Sequence, residues 1–157
     1  MKILLTALNA KFIHSNLAIR YLSSYCIPHS SSEIVIREFT INDQLEKILA
    51  GIYMEKPDVI GFSCYIWNIE QILMLASSLK KVMPSCRILL GGPEVSYDGY
   101  ELMDRHPYID FIISGEGEET FKDFVQTLES EGRLSLVEGL IYREDGEIVE
   151  NSPRPLI

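Results

Sequence analysis

The chain has 157 residues, a length that suits one domain whose core needs no covalent staples. Its 46% hydrophobic and 24% charged residues exclude extended disorder, and no apolar run approaches the ~20 residues of a membrane-crossing helix. A formal charge of −9, with 14 Lys and Arg scattered among 23 Asp and Glu, leaves no basic footprint for nucleic acid or an anionic membrane surface.

Met1-Lys2 followed by Ile3-Leu4-Leu5 reads as a first strand, since no small-residue cleavage site follows it as in a signal peptide. Residues 2–8 form a near-continuous apolar run, the pattern of a strand buried on both faces. Residues 15–26 repeat apolar side chains at helical spacing, with Leu17, Ala18, Tyr21, Leu22 and Tyr25 on one face. Residues 33–39 alternate and are rich in β-branched side chains, which suits a strand nearer the sheet edge. A second helical stripe (Leu45, Ile48, Leu49, Ile52, Tyr53) ends before Pro57.

Residues 58–63 read as a short buried strand. Asn68 and Gln71 then have the spacing of a capping box ahead of a helix that uses Ile69, Ile72, Leu73, Ala76 and Leu79. Residues 87–90 form a strand ending in Gly91-Gly92-Pro93, and a short helix over 100–105 leads to the strand 109–113. Gly115-Glu116-Gly117 opens a helix with Phe121, Phe124, Val125 and Leu128 inward, which Gly132 should close as its C′ residue. Residues 140–143 and 147–149, joined across Asp145-Gly146, predict a hairpin. The stretch 151–157 carries two prolines and no periodicity and reads as a linker. The expected organisation is an α/β domain over 1–136, a hairpin extension of it over 137–150, and that linker.

Five successive βα units imply a doubly wound parallel five-stranded sheet of flavodoxin-like, Rossmann-type architecture, with strand order 2-1-3-4-5 and a C-terminal β-hairpin. Ligands of such sheets bind beyond the carboxyl ends of the strands, at the switch point of strand order. The loops that deserve inspection are therefore 9–16, 64–67, 91–97 and 114–119.

Each of these loops offers candidates. Asn9 leaves the first strand and His14 follows in the same loop, where a neutral imidazole is able to bind a metal. No carboxylate stands two residues before His14 to orient its ring, which favours a histidine without a metal role. Ser63, Tyr65, Trp67 and Asn68 place a hydroxyl, two aromatic rings and an amide where a flat heterocycle would lie; they equally suit a helix cap and a cover for the sheet end. Gly91, Gly92, Pro93 and Glu94 suit either a tight turn or the close approach of a bulky ligand. Gly115, Glu116 and Gly117 form a second glycine loop whose acids would repel phosphate, and no Gly-Lys-Ser/Thr follows as in a Walker loop. Cys26, Cys64 and Cys86 are isolated, so a zinc or iron–sulfur site is not spelled out and buried reduced thiols of a cytoplasmic protein are expected. No nucleophile motif is present, and the chain by itself reads as non-catalytic.

Three segments in order, Asp58-Val-Ile-Gly-Phe-Ser63, Leu89-Leu-Gly-Gly-Pro-Glu-Val-Ser96 and Asp110-Phe-Ile-Ile-Ser-Gly-Glu-Gly-Glu-Glu-Thr-Phe121, carry a resemblance over nearly the whole chain. The chain resembles the N-terminal cobalamin-binding domain of B12-dependent radical SAM proteins, the group that includes the anaerobic magnesium-protoporphyrin IX monomethyl ester oxidative cyclase. The resemblance implies a module that holds cobalamin on its strand ends, facing a radical SAM barrel of the same polypeptide. A [4Fe–4S] cluster and S-adenosylmethionine would belong to that barrel, whose C-x-x-x-C-x-x-C motif this chain lacks. Family members that replace the lower axial ligand of cobalt carry Asp-x-His-x-x-Gly. Here Phe12-Ile13-His14-Ser15-Asn16-Leu17 keeps the histidine without the aspartate or the glycine. The other reading consistent with the resemblance is a docking domain for the barrel that no longer binds cobalamin; a free-standing nucleotide or flavin binder fits the acidic glycine loop less well.

Overall fold

The computed structural model describes residues 1–11 and 15–156. Strands and helices alternate: β1 Lys2–Asn9, α1 Leu17–Cys26, β2 Glu33–Thr40, α2 Leu45–Glu55, β3 Val59–Ser63, α3 Ile69–Val82, β4 Arg87–Gly91, α4 Gly99–Arg105, β5 Phe111–Ile113 and α5 Glu118–Glu129. A hairpin of β6 Leu140–Glu144 and β7 Glu147–Glu150 follows, turned by Asp145 and Gly146, both with positive φ as an Asp-Gly turn requires. The sheet runs β2-β1-β3-β4-β5-β6-β7. Its first five strands are parallel in the expected order, and the hairpin joins antiparallel along β5.

Strand alternation sends successive side chains to two cores. Ile3, Leu5, Val59, Leu89, Phe111 and Ile113 face α1 and α5, where Ile19, Phe121, Phe124 and Val125 meet them. Leu4, Leu8, Ile60, Phe62, Ile88 and Leu90 face α2, α3 and α4, packing on Ile48, Ile52, Ile72, Leu79 and Met103. β1, between β2 and β3, is covered on both faces, as its near-continuous apolar run requires. Among the described residues no helix is long and apolar enough to cross a membrane.

Three local expectations are corrected. α1 turns Ile19, Ser23 and Cys26 inward, while Leu17 and Tyr21 are more than half exposed. The stripe 18-21-22-25 and the stripe 19-22-23-26 differ by a single step of about 100°, and the tyrosine hydroxyls decide between them by reaching outward; Tyr25 Oη donates to Glu119. Asn68 precedes α3 but does not cap it: its amide nitrogen donates to Leu8 O and Ser63 O, each at 3.1 Å, and its oxygen accepts from Tyr65 N at 2.8 Å. Gln71 donates to Ile41 O instead of closing a box. At the end of α5 the left-handed residue is Glu131, with φ 53°, and Gly132 N returns to Thr127 O at 2.9 Å.

Beyond β7 the chain is fastened to the domain. Asn151 Nδ2 donates to Leu134 O and Val137 O, both at 2.8 Å, and Gly139 N donates to Ser152 O at 2.9 Å. Arg154 then reaches α5, with Nε 2.9 Å from Thr120 Oγ1 and Nη2 2.6 Å from Asp123 Oδ2.

Candidate functional site

A cleft of about 130 Å³ opens between α1, the start of α5 and the carboxyl ends of the central strands. Its floor exists because Gly61, in the middle of β3, has no side chain to fill the space between Leu5 and Leu89. A Cβ there would stand 2.9 Å from Leu5 Cδ2 and 3.6 Å from Leu89 Cδ2. Ala18, Ile19 and Leu22 of α1 form one wall, and Ile113, Gly115, Gly117 and Glu118 form the other. Ser63, Gly91 and Gly92 line the end where β3 and β4 stop. Glycine within a strand marks a place where something else comes close; Gly61 is the site residue that the sequence reading passed over, although this signal was available.

The two adjacent glycines have different duties. A Cβ on Gly91 would meet nothing nearer than Ile113 O at 4.0 Å, so its missing side chain leaves room in the cleft. Gly92 has φ 109°, and a Cβ there would lie 2.5 Å from Cys64 O and 2.9 Å from Cys64 N. The second glycine therefore serves the loop crossing, in which Cys64 N donates to Gly91 O at 2.7 Å. Gly117 keeps the two helix walls together, since a Cβ would sit 3.1 Å from Leu22 Cδ2. Ser96, which the sequence did not single out, ties the glycine loops to each other. Its hydroxyl donates to Gly92 O at 2.8 Å and accepts from Gly115 N at 3.2 Å, while its carbonyl accepts from Ser114 Oγ at 2.6 Å.

The polar part of the site is small. Ser63 is buried, and its Oγ accepts from Asn16 Nδ2 at 3.4 Å; Asn16 Oδ1 in turn caps α1 by accepting from Ile19 N at 3.1 Å. Glu118 is the one ionisable side chain among the described lining residues. Burial pushes the Cys64 thiol far above its ordinary value, so it is no nucleophile. Among the described residues, no group of three or more His, Cys, Asp or Glu side chains stands together to hold a metal ion. Such a surface supplies shape and a few hydrogen bonds, and fits binding better than acid–base chemistry.

Of the sequence-predicted residues, the structure brings Ser63, Gly91, Gly92, Gly115 and Gly117 together around the cleft. Asn9, buried, gives its amide to Glu38 at 3.2 Å. Tyr65 and Trp67 stack on each other outside the lining, and Pro93, Glu94 and Glu116 are exposed and outside it too. His14 lies outside the described residues. Ile66, Trp67 and Tyr97 leave an exposed apolar and aromatic fringe at the same end of the sheet, being 79%, 48% and 96% accessible.

Comparison with known proteins agrees with this geometry. The family model for the B12 binding domain matches residues 3–125. The 2-(S-pantetheinyl)-carbapenam-3-carboxylate methyltransferase of Streptantibioticus cattleyicolor is 32% identical over 112 residues, covering 71% of this chain and 16% of that protein. The anaerobic magnesium-protoporphyrin IX monomethyl ester cyclase of a Synechocystis species is 34% identical over 86 residues, 55% of this chain and 17% of that one. This chain thus spans about a sixth of the length of these curated relatives. Among solved structures, the cobalamin-dependent S-adenosylmethionine radical enzyme OxsB, with aqua-cobalamin and S-adenosylmethionine bound, superposes with a TM-score of 0.81 at 22% identity, covering 99% of this chain and 22% of that one. The radical S-adenosylmethionine methyltransferase TsrM of Kitasatospora setae, with cobalamin and a [4Fe-4S] cluster bound, gives 0.79 at 16% identity, covering 99% and 29%. Both likenesses concern the fold. Since the family model matches from β1 into α5, this chain belongs to the B12-binding domain family.

Proposed function

We propose that this chain is the cobalamin-binding module of a larger B12-dependent radical SAM enzyme. The observation that carries this reading is the cleft floored by Gly61 and ended by Gly91, apolar along its walls and open at the carboxyl ends of β3 and β4. At about 130 Å³ it is too small for a whole corrinoid and suits the flat heterocycle of a nucleotide tail, with the macrocycle outside against the strand ends. The residues fit that group: Leu5, Leu22, Leu89 and Ile113 offer apolar contact to a ring, and Ser63 offers a hydroxyl at the mouth. A bound corrinoid would supply cobalt chemistry for group transfer, and this chain's own residues would bind and orient it.

The relatives' much greater length supports a radical SAM barrel in the same polypeptide, carrying the [4Fe–4S] cluster and S-adenosylmethionine and deciding whether methyl transfer or cyclisation results. The exposed fringe of Ile66, Trp67 and Tyr97 is where such a barrel would meet the module. The same fringe supports the second reading, a docking domain without cobalamin. Titrating the purified chain with hydroxocobalamin and following the corrin absorption decides between them. A saturable spectral change in wild type, lost in Gly91→Leu, is expected; an unchanged spectrum at high micromolar cobalamin favours the docking reading.

A further inference from the structure

Glu38 stands on β2 opposite Ala7 and gathers donors from both sides of the β1–α1 connection. Its Oε1 accepts from Asn9 Nδ2, the last residue of β1, at 3.2 Å and from the backbone N–H of Asn16, just ahead of α1, at 2.6 Å. Its Oε2 meets Arg20 Nη2, one turn into α1, at 2.5 Å. The side chain is 18% exposed, and so sparsely solvated a carboxylate is costly unless its lone pairs are filled. Burial works against its charge, yet hydrogen bonds from Asn16, Asn9 and Arg20 outweigh that and hold the carboxyl below its ordinary value.

The consequence reaches the cleft. Asn16, fixed through its main chain by Glu38, spends its side chain on Ile19 N and Ser63 Oγ, and Ile19 and Ser63 both line the cleft. One carboxylate therefore sets where the connection between Asn9 and Asn16 begins and ends, and through Asn16 the placement of the α1 wall against the end of β3. We propose that Glu38 is a positioning residue for the ligand of this cleft, fixing Asn9 at the end of β1 and Asn16 ahead of α1, and through Asn16 the α1 wall. The inference rests on the corrinoid reading above, with hydroxocobalamin as the probe.

The test uses wild type, Glu38→Ala and Glu38→Gln, with Arg37→Ala as a control that removes the neighbouring β2 side chain, its ion pair with Glu55 and its contact over the Phe39 ring, and touches none of the bonds of Glu38. Tryptic cleavage after Lys11, identified by mass spectrometry, reads this hold, and corrin absorption reads binding. Glu38→Ala, assayed well below its thermal midpoint, should be cut about tenfold faster and should bind hydroxocobalamin about tenfold more weakly, the size expected for losing a charged hydrogen-bond acceptor. Glu38→Gln, which keeps an oxygen for Asn16 N, should fall between and serves if the alanine variant does not fold. By linkage, hydroxocobalamin should slow the cut in wild type. Equal cutting of wild type and both variants, or faster cutting with unchanged affinity, overturns the proposal. If wild type binds no hydroxocobalamin, the corrinoid reading fails and this role falls with it, while the tryptic rates still show whether Glu38 holds the connection.

Discussion

Trp67 lies flat against Tyr65, ring centroids 4.5 Å apart and planes 3° from parallel, beside the carboxyl end of β3. Trp67 is the single tryptophan of the chain, so tryptophan emission excited beyond the tyrosine absorption band reports on this stack alone. Aromatic pairs contribute about 0.5–1.5 kcal/mol beyond their burial, and the half-exposed position of Trp67 places this one at the low end. Hydroxocobalamin should quench Trp67 with the same saturation curve as the corrin absorption. Quenching that never rises above the inner-filter effect would place the ligand away from the stack.

The adjacent glycines should respond differently to substitution. Gly91→Leu fills open space, so its urea midpoint should stay close to wild type while the corrin spectral change disappears. Gly92→Ala must enter a backbone region reserved for glycine, at a cost of about 1–3 kcal/mol, and meets the Cys64 main chain as well. Urea unfolding of the two variants, with spectra taken on the folded protein, separates the roles. A Gly92→Ala protein as stable as wild type would contradict this division.

No carboxylate stands two residues before His14 in the sequence, so it should matter little to cobalt. His14→Ala should change hydroxocobalamin affinity by less than tenfold, equivalent to about 1.4 kcal/mol. In the Co(II) state, electron paramagnetic resonance should show no nitrogen splitting that the substitution removes; a lost splitting would assign His14 as the lower ligand.

The three thiols should be silent toward alkylating reagents at neutral pH until the chain unfolds. All are buried, and burial pushes Cys26 and Cys86 up to about 11. Between the ordinary thiol value near 9 and 11 the unfolded chain has released protons that the folded one still holds, so stability falls as pH rises through that window. The urea midpoint should therefore drop between about pH 9 and about pH 11, and less so in a Cys26→Ala, Cys86→Ala double variant. An equal drop in that variant would assign the alkaline loss to other groups.

The order of strands was legible because each apolar run had one reading: residues 2–8 need two covered faces, and Asp145-Gly146 needs a reversal. α1 was less legible, because two overlapping stripes one residue apart both satisfy the helical period and only the tertiary setting of Tyr21 and Tyr25 separates them. Asn68 carried the composition of a cap, yet the sequence does not show that Leu8 and Ser63 offer it carbonyls from neighbouring strands. At the site, glycine at 91, 92 and 117 was visible in motifs, but its division into cleft, loop crossing and helix contact depends on atoms far along the chain. Glu38 gave no signal at all, being one charged residue on an alternating edge strand whose three partners are gathered only by folding.

The contact between Gly92 and the Cys64 main chain has an evolutionary consequence. Selection for a foldable chain is sufficient to preserve glycine at position 92, because any side chain there strikes backbone. Position 91 is under no such constraint, and only a descendant that still fills the cleft has reason to keep it bare. In a lineage that abandoned its ligand, the first glycine should drift while the second stays, so the pair reads as a record of whether the cleft outlived its use.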